Sequence, residues 1–162
     1  MKRSLTIRAL SELTGPVLLL HVLAAFAYGA GYIGTNLLTE SARRTDDSIF
    51  RGNALQFSGV LDRLNMIGGT FAGITGILAV FVFGYSLLTP WVVAAIVIYV
   101  MIVGTGILFW GRVGHEIGRA VSAGDDASVL ALLRSPRNVA VSRAENLLFV
   151  ALISLMVLRP GI

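Results

Sequence analysis

The chain has 162 residues, 56% of them hydrophobic and only 14% charged, with a mean hydropathy of +0.81 and a net charge of +4. A soluble domain carries roughly 25% charged residues, so lipid is the expected solvent here. The surplus of arginine then reads as the positive-inside bias of membrane loops, which argues against a nucleic-acid partner, and the lack of cysteine removes disulfides, thiolate metal sites and cysteine nucleophiles.

Lys2, Arg3, Arg8 and Glu12 precede Gly15-Pro16, and proline is well placed in the first turn of a helix, where its missing N–H has no partner to lose. The first membrane span is expected at about 17–38, with His21 as its only ionisable side chain. Ala25-Phe26-Ala27 has the form of a signal-peptidase site, but cleavage there would put the arginine-rich loops outside, so the segment is read as a retained span. A polar connection follows, in which Asp46-Asp47 caps a helix that runs into the second span.

From Leu64 to Gly111 there is no Asp, Glu, Lys, Arg or His. A bilayer core takes about 20 apolar residues per helix, so this stretch supplies two spans, about 64–84 and 90–111, broken at Tyr85–Pro90. Gly124-Asp125-Asp126 then signals a helix stop and a new cap, followed by a short amphipathic helix at about 125–135 on the cytoplasmic membrane surface. The fourth span needs about 139–158 to reach across. That length places Arg143 and Glu145 in its first turns, where the arginine snorkels and the glutamate gains from the helix N-terminus.

The expected fold is therefore all-α, a single four-span helix bundle covering 1–162. With both termini outside, the two long loops hold Arg43, Arg44, Arg51, Arg63, Arg112, Arg119, Arg134, Arg137 and Arg143, against Lys2, Arg3, Arg8 and Arg159 on the other side. The charge rule favours that orientation.

Small residues recur at helical spacing: Gly68, Ala72 and Gly76, with Gly69 and Gly73 beside them. In lipid such residues let helix backbones approach, so they are read as packing positions for neighbouring spans, other membrane subunits or a second copy. Gly29, Gly31 and Gly34 spell a dinucleotide-binding string, but inside an apolar helix with no strand before it they serve packing too. His-Glu at 115–116 is half of a zinc-protease motif, and Arg119 stands where the second histidine would be. No Ser/His/Asp set, paired intramembrane carboxylates or phosphate loop is visible, so no catalytic machinery is recognisable.

His21 is the sharpest functional candidate, since an ionisable group inside a span marks function by default. Stepping by helical turns gives His21, Ala25, Tyr28, Tyr32 and Asn36 on one face, which should look into the bundle. Met156, near the outer end of the fourth span, falls at a similar expected depth, and a His/Met pair suits haem or copper. His115, at the opposite end of the third span, does not.

Taken together, Leu20-His21-Val22-Leu23, Thr75-Gly76-Ile77, the Gly124-Asp125 helix start and the ending Leu155-Met156-Val157-Leu158-Arg159-Pro160 resemble a bacterial family of predicted four-span integral membrane proteins of unknown function. That family is distantly similar to the copper-resistance D proteins and to the J-type membrane protoporphyrinogen oxidases. The resemblance implies the inner membrane and a haem b or copper site onto whose ligand His21 maps; Met156, by its depth, and Tyr28, on the face of His21, are the further candidates for binding the cofactor. Those oxidases also use a lysine within a later span, and the only lysine here is Lys2.

Overall fold

Hydropathy and cap chemistry translate into long helices. The computed structural model describes the backbone of residues 2–160 and the side chains of residues 12–160, so the side chains of Lys2, Arg3 and Arg8, counted in the charge argument, lie outside the described residues. Among the described residues there are six α-helices and no strand: α1 Lys2–Arg44, α2 Ser48–Val82, α3 Pro90–Thr105, α4 Gly111–Ser122, α5 Asp126–Arg134 and α6 Pro136–Leu158. A π-helical turn, Gly106–Trp110, joins α3 to α4 without a break. Four stretches are long and apolar enough to cross a membrane: Glu12–Arg44, Ser48–Val82, Pro90–Ser122 and Pro136–Leu158.

Local chemistry accounts for most of the boundaries. The Asp47 carboxylate accepts from the backbone N–H groups of Ile49 (2.8 Å) and Phe50 (3.1 Å), closing the start of α2. Gly84 ends that hairpin arm at φ +74°, and Gly124 ends α4 at φ +69°, both in the left-handed region that glycine enters without strain. Asp125 caps α5, accepting from the backbone N–H (3.0 Å) and the hydroxyl (2.6 Å) of Ser128. Pro136 opens α6 at its first turn. Pro16 behaves otherwise than its position suggests. Rather than starting a helix it lies inside α1, which begins at Lys2. A proline interrupts only its own bond to the carbonyl four residues back, and membrane helices absorb that loss.

The chain packs as two compact units. The first, Met1–Leu38 with Leu55–Thr89, is an antiparallel helical hairpin of α1 and α2. Its seam is built by glycine. A Cβ at Gly31 would stand 2.4 Å from the Asn65 backbone nitrogen, and one at Gly68 would stand 2.5 Å from the Tyr28 nitrogen. Only hydrogen fits at either place, so the two backbones touch. Tyr28 and Tyr32 are buried at 8% and 6% exposure, while Leu19, Phe26, Ile33 and Leu37 on the rest of α1 are exposed. In a lipid solvent that exposure is the ordinary condition of a span.

The second unit, Thr39–Ala54 with Pro90–Ile162, packs α3 on α6 and α5 on both α4 and α6. Val92, Ala95 and Ile102 of α3 and Phe149 and Leu152 of α6 supply its apolar core.

Candidate functional site

In the first unit, α1 and α2 bring His21 against Thr75 and Gly76. His21 Nδ1 lies 3.2 Å from Thr75 Oγ1. The Thr75 hydroxyl has one proton to give, and the Phe71 carbonyl, at 2.6 Å, receives it. The shared hydrogen bond therefore runs from Nδ1–H to the threonine oxygen, which leaves the imidazole lone pair on Nε2. Gly76 makes room for the ring, since a Cβ there would come within 3.1 Å of His21 Cε1. Glycine at 76 and threonine at 75 thus hold the histidine plane in place.

Along the same seam Ala72 is buried, Gly73 is half-buried, and the Tyr28 ring lies over Gly69, 3.1 Å from where a Cβ would sit. Tyr28 and Tyr32 face each other with centroids 6.3 Å apart. Nearer the loop end, Thr35 donates to the Ser58 carbonyl at 3.3 Å. The helical face named from the sequence at 21, 25, 28, 32 and 36 is thus the less exposed side of α1.

Met156 belongs to the second unit, half-buried on α6. His115 is exposed on α4 of that unit. Among the described residues no three of His, Cys, Asp and Glu converge as metal ligands do. What the His21 site offers a cofactor is one imidazole nitrogen, oriented by a hydroxyl on its far side. That donor set fits a single axial haem ligand, the usual arrangement being a ligating histidine that donates its other N–H to a fixed acceptor.

The second unit carries two polar assemblies that sequence spacing does not reveal. Arg51, read as a loop charge, is 2% exposed. Its Nε donates to the Ala42 carbonyl (3.2 Å), its Nη2 to the Thr45 carbonyl (2.6 Å), and its Nη1 to both Asp126 carboxylate oxygens. Around it, Arg43 donates to the Leu133 carbonyl (2.8 Å) and pairs with Glu40 (2.6 Å), and Arg134 donates to the Arg43 carbonyl (3.2 Å). One guanidinium thereby closes the α1–α2 corner and ties it to the start of α5.

Glu145 also departs from expectation. It lies two turns inside α6, 8% exposed, and accepts from the Trp110 indole N–H at 2.6 Å. Trp110 ends the π-turn, where an extra residue per turn re-aims the side chains around it. The expected benefit from the helix N-terminus fades within the first turn, so burial against an indole donor holds this carboxylate instead.

No curated protein and no solved structure matches the chain. Its family is nevertheless clear: residues 16–160, all but the two ends, match the model of the predicted integral membrane proteins called DUF2269, and the chain belongs to that family.

Proposed function

We propose that this protein is a non-enzymatic component of the bacterial inner membrane, structural or accessory to other membrane proteins, with both termini outside. The observation that carries this reading is the use to which His21 is put. The one histidine of the first span is hydrogen-bonded to Thr75 and seated over Gly76, so it acts as a tie between two spans. Interhelical bonds of this kind contribute about 0.6 kcal/mol on average in membranes. The glycine seam at 31 and 68 supports the same reading, because it spends the close approach of α1 and α2 on packing.

The assignment of the imidazole lone pair to Nε2 favours a second reading: a haem b protein with His21 as axial ligand, haem supplying one-electron chemistry when bound. Copper would use the same nitrogen.

Absorption spectra of the detergent-purified protein, oxidised and reduced, with metal analysis of the same sample, separate the readings. A colourless, metal-free, folded protein whose His21→Ala variant still assembles is the expected result. A Soret band or stoichiometric copper that disappears in His21→Ala would replace it with the cofactor reading.

A further inference from the structure

Between α3 and α6 of the second unit lies a groove of about 540 Å³, within the range of roughly 300–1,000 Å³ in which small-molecule sites fall. Small residues, Gly104 and Ala144, line it together with Met101, Leu108 and Leu148. Met101 and Leu108 are also exposed, so the groove opens to the side, toward lipid chains.

Charge stands at one end. Phe109 lines the groove, and the Arg137 guanidinium lies 5.0 Å over its ring. Arg137 is the second residue of α6, at the boundary where the span begins, so a stacked cation is held at the mouth of an apolar trough. Glu145, the carboxylate in the lining, sits ~12 Å further along the α6 axis at 1.5 Å per residue and is covered by the Trp110 indole. The arginine at the mouth and the carboxyl group in the wall are thus at different depths.

We propose that this groove is a phospholipid site: an acyl chain lies along the groove past Gly104 and Ala144, and Arg137 holds the phosphate. A planar guanidinium meets phosphate oxygens through two parallel hydrogen bonds, and its stacking on Phe109 lowers the conformational entropy lost when it does so. Hydrocarbon alone has no reason to prefer this trough over bulk lipid; the phosphate contact supplies the preference.

The test titrates the detergent-solubilised full chain with dioctanoyl-phosphatidylglycerol and, separately, with dioctanoylglycerol, which has the same chains and no phosphate. Bound lipid is read by native mass spectrometry. Phosphatidylglycerol is expected to bind about tenfold more tightly than the diacylglycerol, a difference one charge-assisted contact supplies. A Cβ at Gly104 meets nothing within 4 Å, so a larger side chain there starts in open space, and Gly104→Leu, which fills the groove, should weaken phosphatidylglycerol about tenfold. Arg137→Gln, at an exposed position, should bring the two lipids to equal affinity. Equal binding of both lipids by the unaltered protein, or a preference for phosphatidylglycerol that survives Arg137→Gln, overturns the proposal. Should Gly104→Leu fail to fold, the Arg137→Gln comparison decides alone.

Discussion

Glycines that look alike in the sequence are unequal in the structure. A methyl group at Gly68 would stand 2.5 Å from the Tyr28 backbone nitrogen, a contact that can be relieved only by moving α1 off α2. Gly59, in the same helix, has nothing within 4 Å of a Cβ. Gly68→Ala should therefore lower stability by about 1–3 kcal/mol, the cost of overpacking, while Gly59→Ala should raise it by about 0.5–1 kcal/mol through helix propensity. Thermal unfolding in detergent, followed by circular dichroism, reads both; equal melting points for the two variants would refute the seam. At Thr75 the hydroxyl contributes one interhelical bond. Thr75→Val should cost about 0.6–1.7 kcal/mol, and no more, because shape is preserved. A larger loss on the same unfolding assay would mean that Thr75 supports more than His21.

Between elements, the deciding group is Arg51. A buried arginine is costly unless its charge and donors find partners, and here each guanidinium nitrogen has one: two carbonyls and the Asp126 carboxylate. Asp126→Ala leaves the guanidinium without its anion. The expected loss is about 2–3 kcal/mol, less than the roughly 3–5 kcal/mol of a fully buried pair because the Asp126 side chain is 45% exposed. Adding Arg51→Met to Asp126→Ala should recover part of that loss, since no uncompensated charge remains. Additive losses in this double-mutant cycle would show that the pair is not coupled. Asp125, next along, is the α5 cap. Hydrogen bonds from Ser128 hold its carboxyl below the usual carboxylate range. A carboxylate whose folded pKa is depressed stabilises above its unfolded value, near pH 4, and loses that contribution as pH falls through the folded value. Limited proteolysis at the α4–α5 connection should accelerate below about pH 4, and Asp125→Ala should remove that pH dependence. A pH response unchanged in Asp125→Ala would place the titrating group elsewhere.

At the scale of the molecule, the membrane reading follows from the match of residues 16–160 to an integral membrane family and from four long apolar helices. The proposed orientation rests on nine arginines in two connections against three arginines and Lys2 elsewhere. Alkaline phosphatase fused to the C-terminus should be active in intact cells, and a fluorescent protein fused at that position should be dark; the opposite pattern would invert the topology. The four apolar spans and the caps at Asp47 and Asp125 were legible from sequence because each depends on neighbours within a few residues or on the length of an apolar run. Pro16 was misplaced for the converse reason: its tolerance inside α1 reflects the lipid environment of the whole helix, not its own geometry.

The sequence by itself determined that this chain lives in lipid, that it is helical, and which face of the first span carries His21, Tyr28 and Tyr32. Hydropathy and the 3.6-residue period are local properties, and lipid leaves helices as the economical way to satisfy every backbone group. Only the tertiary structure decided what those side chains meet: Thr75 for His21, Asp126 for Arg51 and Trp110 for Glu145. Those partners lie 54, 75 and 35 residues away in the chain. A hydrogen bond depends on ångström-scale position, which no spacing over such distances encodes, so an arginine that reads as a loop charge can prove to be buried and bonded to two carbonyls and a carboxylate.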